Sequence, residues 1–285
     1  MPLDLQALHA IALPDRAERL ELRAALLYAL SIGHGAADLA AVYEGAGLRL
    51  APTLPLVLGD PGPWWDKAAL GLPPGGPLHG EQALWLHAPV PLDMPLLSSN
   101  RVVGWRPLRG GHGLMTVERQ TRRADTGALL ATSRAGLIWR DVGQGEAWAC
   151  PDCVLPPLPE SAPSDRAPDV AVACAIPAEA ALLYRLNGDM NPLHVDPAAA
   201  RAAGFDRPIL HGLATLGHVM TALGRVWGDA VPGALAVRFA APVYPGDRLA
   251  ISAWRDGAAL RFSADVAGRA VLSQGRAHLS FSPAP

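Results

Sequence analysis

Apolar residues recur at three- and four-residue steps in only a few stretches of the chain. Residues 15–30 carry such a pattern behind Pro14 and Asp15, a helix start signal, and residues 177–186 form a second, shorter candidate. Residues 212–223 are the most apolar, with Leu213, Leu216, Val219, Met220 and Leu223 on one period. A helix that apolar is expected to be wrapped by a sheet. Elsewhere the pattern reads as strands broken by turns. Residues 113–120 and 127–140 flank Ala124-Asp125-Thr126-Gly127. Residues 248–254, 258–264 and 270–281 are separated by Asp256-Gly257 and Gly268, spacings that suit an antiparallel meander.

Prolines 151, 156, 157, 159, 163 and 168 interrupt both periods, so residues 150–168 read as an extended surface linker. The halves on either side resemble each other. Ala88-Pro89-Val90 recurs as Ala241-Pro242-Val243, and strand-like runs follow in both. An internal duplication is plausible, each copy a curved antiparallel sheet around one central helix. The fold class expected is therefore α+β, with repeats at residues 1–155 and 156–285.

Composition narrows the function. Half of the 285 residues are hydrophobic and 18% are charged, enough for a substantial core. Gly 29 and Pro 28 make a fifth of the chain, consistent with many turns. Lys+Arg 24 against Asp+Glu 26 gives a net charge of −2, without the basic footprint of a general nucleic-acid binder. Residues 1–12 lack the basic region of a secretion signal and no long apolar run suggests a membrane span, so a soluble cytoplasmic protein is expected. Cys150 and Cys153 have no second Cys or His pair at zinc spacing and run into prolines, so they read as structural or incidental thiols.

The stretch from Tyr184 to Asp196 concentrates the chemistry. Asp189, Asn191 and His194 lie within six residues, with helix breakers at Gly188 and Pro192. A carboxylate and a neutral imidazole can both accept protons from one water, and Asn191 can orient it. Gly212 opens the apolar helix, where its N–H is an unpaired donor at the positive end of the helix dipole, able to stabilise a carbonyl oxygen that gains charge. The same residues also fit a plain reading: a helix-ending turn capped by Asp189 and a buried histidine bonded to a carbonyl.

The stretch Tyr-Arg-Leu-Asn-Gly-Asp-Met-Asn-Pro-Leu-His-Val-Asp at 184–196, followed by Ala-Gly-Phe-Asp-Arg-Pro-Ile-Leu-His-Gly at 203–212, resembles the hydratase 2 motif of the MaoC-like dehydratases. Tyr28-Ala29-Leu30, Tyr43-Glu44-Gly45, Pro52-Thr53 and Leu78-His79-Gly80-Glu81-Gln82 extend the resemblance to the eukaryotic-type hydratase 2, the double hot-dog hydratase part of peroxisomal multifunctional enzymes. That resemblance implies reversible hydration of a trans-2-enoyl-CoA to a (3R)-3-hydroxyacyl-CoA. It places the catalytic dyad on Asp189 and His194, water orientation on Asn191 and the oxyanion donor on Gly212. Substrate contacts fall on His79, Gly80 and Phe239, with a basic residue near Arg109. Arg207 could meet the CoA phosphates, since a guanidinium suits them. No metal, flavin or nicotinamide is implied, and a homodimer is.

The first half lacks the Asp-x-Asn-Pro-x-His segment and is expected to be catalytically silent, with residues 53–58 as a shortened helix whose loss makes room for an acyl tail. Residues 70–76 read either as a lid or as a passive connector, and Trp64-Trp65 either as a pocket lining or as core. Glu44 matches a family glutamate and is read as structural. His211 and His218 are read as packing residues. Rival readings are an acyl-carrier-protein dehydratase or a thioesterase on the same fold, and a non-catalytic partner subunit. The sequence leaves acyl chain length, pathway and the carrier of the thioester open.

Overall fold

The computed structural model describes residues 3–66, 70–73, 76–143, 145–160, 166–228 and 230–281. Contacts divide the chain into two compact units. One comprises Met1–Arg19, Leu58–Pro89 and Met94–Pro157; the other comprises Leu20–Val57, Val90–Asp93 and Leu158–Pro285. The linear division expected at 155 lies near Pro157, where one unit ends, and Leu20–Val57 groups by its contacts with the C-terminal residues.

The first unit has strands β1 (Arg16–Arg19), β2 (Leu78–Leu86), β3 (Pro95–Pro107), β4 (Gly113–Arg123) and β5 (Leu129–Trp139), all paired antiparallel in the order β1-β3-β4-β5-β2. A two-residue strand, β6 (Trp148–Ala149), pairs with β3. The second unit has β7 (Val170–Ala175), β8 (Ala230–Phe239), β9 (Arg248–Asp256), β10 (Ala259–Val266) and β11 (Arg269–Phe281), again antiparallel, in the order β7-β9-β10-β11-β8. Both sheets thus run first, third, fourth, fifth, second strand. β2 and β8 are equivalent in this order, and each ends just before its Ala-Pro-Val.

The helices depart from the expectation in the first unit. Among the described residues its one α-helix is α1 (Leu5–Ala10), capped by the Asp4 carboxylate. No central helix was found among those residues. The core is filled instead by Leu8, Leu13, Trp64 and Leu70, packed with Val102, Trp105, Met115, Val117 and Trp139 of the strands. Trp64 is therefore a core residue. Leu70, at one end of the expected lid, is anchored in the same core, while residues 74–75 of that stretch lie outside the described residues. Cys150 and Cys153, expected as structural or incidental thiols, are joined as a disulfide across the Pro151-Asp152 turn; Cys174 is free.

Residues 15–30 do not form one helix. Arg16–Arg19 pairs with residues 95–98 of β3, and the helix α2 (Leu22–Ser31) begins only after Leu20. Strand pairing satisfies the backbone of 16–19 and overrides the helical pattern of the side chains. Residues 53–58 form a 3-10 turn, Leu54–Leu56, and cluster with the second unit up to Val57. The short helix α3 (Leu39–Val42) belongs there too.

In the second unit, α6 (Gly212–Trp227) outruns the expected 212–223 and packs against β7 and β8. Ala214, Leu216 and Val219 are fully buried. Gly217 faces α2. A Cβ there would lie 2.4 Å from Ile32 Cγ2 and 2.8 Å from Ile32 Cβ. Contact that close to a β-branched stem cannot be relieved by a terminal rotation. Gly217→Ala gains about 1 kcal/mol of helix propensity, but overpacking typically costs about 1–3 kcal/mol. We expect a net loss of stability, read as a lower midpoint in a denaturant melt; an unchanged midpoint would mean that α2 yields to the added methyl.

Candidate active site

The site lies in the second unit, where two short capped turns precede α6. Helix α4 (Ala180–Tyr184) tightens into a 3-10 turn at Arg185–Asn187 and stops at Gly188, whose φ of 122° is open to glycine alone at no steric cost. Asn187 Nδ2 donates to Tyr184 O at 2.8 Å and to Ser31 Oγ at 2.9 Å, tying this turn to α2. Asp189 Oδ1 then accepts from Asn191 N–H at 3.2 Å. Asn191 Oδ1 accepts from Leu193 N–H at 3.0 Å and caps the turn Pro192–His194, which leaves its amide NH2 to offer a ligand. Asp196 caps α5 (Pro197–Ala202). The polar cluster in the sequence does form the expected turns: its carboxamide and carboxylate oxygens cap them, and the caps fix where Asp189, Asn191 and His194 lie.

His194 is buried, and its Nδ1 lies 2.9 Å from Ile209 O. A carbonyl can only accept, so Nδ1 carries the proton and Nε2 keeps its lone pair. That lone pair faces Asp189 Oδ2 at 3.9 Å. The gap is too long for a direct hydrogen bond but suits a water about 2.8 Å from each. Burial lowers the pKa of His194, against the raising effects of the Ile209 carbonyl and of Asp189. Asp189 itself is half exposed, so the pair has one dry and one wet member.

Gly212 is the first residue of α6, where a backbone N–H has no acceptor within the helix. Phe239 at the end of β8 lies over it. A Cβ at 212 would meet the ring at 3.2 Å, so glycine permits this approach. Asp189, Asn191, His194, Gly212 and Phe239 are thus all in one unit.

His211 was read from sequence as a packing residue. It is buried, but its ring stacks on His194 with centroids 3.6 Å apart and planes 22° apart, and its Nε2 lies 3.3 Å from Asp189 O and 4.0 Å from Asp189 Oδ2. Burial, then the neighbouring His194, push its pKa down to about 3. The only sequence signal was its position directly before Gly212. Asp189, His194 and His211 bring three potential ligand atoms within 4.8 Å of one another. Stacked imidazoles present side-by-side rather than converging lone pairs, a poor match to the tetrahedral geometry of zinc.

The other expected contacts lie apart in the chain. His79 and Gly80 are on β2 of the first unit, where Gly80 sits in a bulge between His79 and Glu81; a Cβ there would meet Ile138 Cδ1 at 2.5 Å, so close strand packing alone accounts for the glycine. Arg109 lies in the exposed turn between β3 and β4 of that unit. Arg207, in the second unit, is engaged by its own surroundings: it donates to Pro245 O at 3.1 Å, lies 3.7 Å from Asp247 and stacks over Tyr244. Glu44 is exposed. His218 is buried beside Gly33, its pKa pushed down to about 4, first by desolvation.

The MaoC like domain matches residues 160–274. The 3-hydroxyacyl-thioester dehydratase Y of Mycobacterium tuberculosis is 34% identical to this chain over 96% of it and 98% of the relative. The chain belongs to the MaoC-like dehydratase family. Its relatives also include the peroxisomal enoyl-CoA hydratase 2 of Arabidopsis thaliana, 30% identical over 86% of this chain and 85% of that protein. Among solved structures, a MaoC-like dehydratase from Phytophthora capsici superposes with a TM-score of 0.84 at 26% identity, covering 99% of this chain and 100% of its own. A Mycobacterium tuberculosis protein described as a double hotdog fold superposes with a TM-score of 0.61 at 17% identity over 94% of this chain and 96% of its own. With the repeated strand order, these establish the double hot-dog architecture. No described helix is long and apolar enough to cross a membrane.

Because burial lowers the His194 pKa, the neutral imidazole should persist as pH falls below the ordinary histidine value of about 6.5. The acid limb of kcat/KM, where His194 gains its proton and loses its basic lone pair, should therefore lie below pH ~6.5. A pH–rate profile checks this, and a limb at or above that value would contradict a buried neutral base.

Proposed function

We propose that this protein is an (R)-specific enoyl-CoA hydratase, equally a (3R)-3-hydroxyacyl-CoA dehydratase, adding water reversibly to a trans-2-enoyl thioester. The observation that carries the reading is the Asp189 carboxylate and the unprotonated His194 Nε2, 3.9 Å apart and close in the chain to the first N–H of α6. Hydration needs a base for the water, a proton for C2 and a donor for the enolate oxygen. One water held between Asp189 and His194 and oriented by the Asn191 amide adds its oxygen to C3. The proton it loses goes to the dyad, and the dyad returns a proton to C2, so one water is divided between the two carbons and the enzyme ends as it began. The thioester carbonyl gains charge as C3 is attacked, and the Gly212 N–H, at the positive end of α6, stabilises it. Dehydration of a 3-hydroxyacyl thioester is the same path reversed.

The reading takes a CoA thioester as substrate, with His79, Gly80, Arg109, Arg207 and Phe239 as its contacts. The first repeat, which lacks the Asp-x-Asn-Pro-x-His segment, accommodates the acyl tail. The protein works as a cytoplasmic homodimer and binds neither nucleic acid nor membrane; these points rest on charge, hydropathy and family resemblance. No step calls for a metal, flavin or nicotinamide, because the oxyanion has a donor in Gly212 and no electrons change hands.

Asp189→Asn and His194→Ala should each lower kcat for hydration of crotonyl-CoA by about 10² to 10⁴ while the fold survives. Loss of the conjugated-thioester absorbance measures this, and a folded variant keeping more than about a tenth of parental turnover would remove that residue from the dyad. Activity should also survive exhaustive chelation, and the product of a medium-chain enoyl-CoA should be the (3R) alcohol. Prompt NADH formation with an (S)-specific 3-hydroxyacyl-CoA dehydrogenase would contradict the stereochemistry. Activity restored only by a divalent ion would contradict the acid–base mechanism.

A further inference from the structure

Asp189 sits on an exposed turn directly after a glycine, whereas His194 is packed in the interior. Holding an exposed carboxylate at a fixed distance from a buried ring needs a tether with one end in the core. We propose that His211 is that tether: a positioning residue whose ring orients His194 by stacking and whose Nε2–H holds the Asp189 backbone, so that the two reactive atoms stay at the spacing one water bridges. The proposal rests on the reading of Asp189 and His194 as the acid–base pair.

His211 is well anchored for the role. Its backbone caps α6, and its carbonyl accepts from Thr215 N–H at 3.1 Å and from Thr215 Oγ1 at 3.3 Å. Its ring packs against His194 and also against Tyr184, 4.9 Å away and tilted by 47°. Tyr184 is fully buried and tilts in turn against Tyr28, whose hydroxyl bonds Thr53 Oγ1 at 2.9 Å. With Nε2 directed at the Asp189 carbonyl, that nitrogen must carry the proton and Nδ1 the lone pair. Nδ1 is buried with no hydrogen-bond partner.

The charge state fits as well. The titratable and charged groups around the ring are His194, Asp189, Tyr184 and Arg185. Burial, His194 and Arg185 all disfavour a second proton on His211, and only the bond to the Asp189 carbonyl favours one. The ring therefore stays neutral, and no second cation opposes the imidazolium formed when His194 takes the water's proton. No proton in the cycle passes through His211.

Three variants test this: His211→Ala removes ring and donor, His211→Phe keeps a ring without the donor, and His211→Asn keeps a donor without the ring. Each is assayed for kcat, KM and the acid limb of kcat/KM with crotonyl-CoA, with a thermal melt to confirm folding. Slight misplacement of reacting groups costs on the order of 10- to 100-fold, so kcat should fall by that much in all three, with KM changed less than about threefold. The acid limb should rise toward the ordinary histidine value where the ring is lost, in Ala and Asn, because water then reaches His194, and should stay in place in Phe. Combined with His194→Ala, the His211→Ala change should cost little more, since it acts through that ring. A folded variant with parental kcat, a loss confined to KM, or a full additive loss on the His194→Ala background would overturn the proposal. If His211→Ala does not fold, the Phe and Asn variants decide alone on the same criteria. Full activity in Asp189→Asn and His194→Ala would instead show that the dyad reading had failed; loss of activity there with none in the His211 variants would defeat this inference only.

Discussion

The hydrogen bond from His194 Nδ1 to the Ile209 carbonyl is the contact on which the proposed chemistry depends. It fixes the tautomer, turns the lone pair of Nε2 toward Asp189 and supplies the polar partner that makes burial of the ring tolerable. The next residue, Leu210, donates its N–H to Val243 O at 2.7 Å, which ties this segment to the loop between β8 and β9. Val243 closes the Ala-Pro-Val that follows β8. The repeated tripeptide that marks the duplication in sequence thus anchors, in its second copy, the residue next to the carbonyl that His194 bonds. Two residues beyond Leu210 the chain becomes helical and offers the Gly212 N–H. The proposed base, its tautomer and the proposed oxyanion donor are all set within residues 209–212 and what those residues touch.

The two sheets have the same strand order but not the same filling. In the second unit a buried sixteen-residue helix packs on β7 and β8. In the first, tryptophans and leucines from short segments occupy the core. A sheet needs an apolar cover and is indifferent to whether a helix or irregular chain supplies it, provided the backbone polar groups are satisfied. The helix N-terminus, by contrast, has the use proposed above: its first N–H can meet a carbonyl oxygen that gains charge. The unit with the Asp-x-Asn-Pro-x-His segment is also the unit with the central helix.

Much of this was legible in sequence for identifiable reasons. The meander at 248–281 announces itself through Asp256-Gly257 and Gly268, turn residues that leave little choice of pairing. Helix α6 is legible because its period is unbroken over three turns. Residues 15–30 misled because a helical period in the side chains gives no information on whether a distant strand will claim the backbone, as β3 claims Arg16–Arg19. His211 was legible only as a histidine beside a glycine. Its stack on His194 depends on how two turns fold over one another, and no spacing encodes that. The grouping of Leu20–Val57 with the C-terminal residues is likewise a matter of tertiary contacts between segments far apart in the chain.

That grouping bears on how the protein is made. Leu20–Val57 leaves the ribosome early, but the unit it belongs to cannot close its sheet until β11, the central neighbour of β8 and β10, has been synthesised. The first unit can complete its own strands at Ala149 while α2 and the Tyr28–Thr53 pair still lack their partners. For much of synthesis an apolar helix face therefore stays uncovered, in a chain whose remaining contacts are of high sequence separation and correspondingly slow to form. The unit that carries Asp189 and His194 is not a module that can be cut out at residue 158: its first piece, Leu20–Val57, is translated before most of the unit that precedes it.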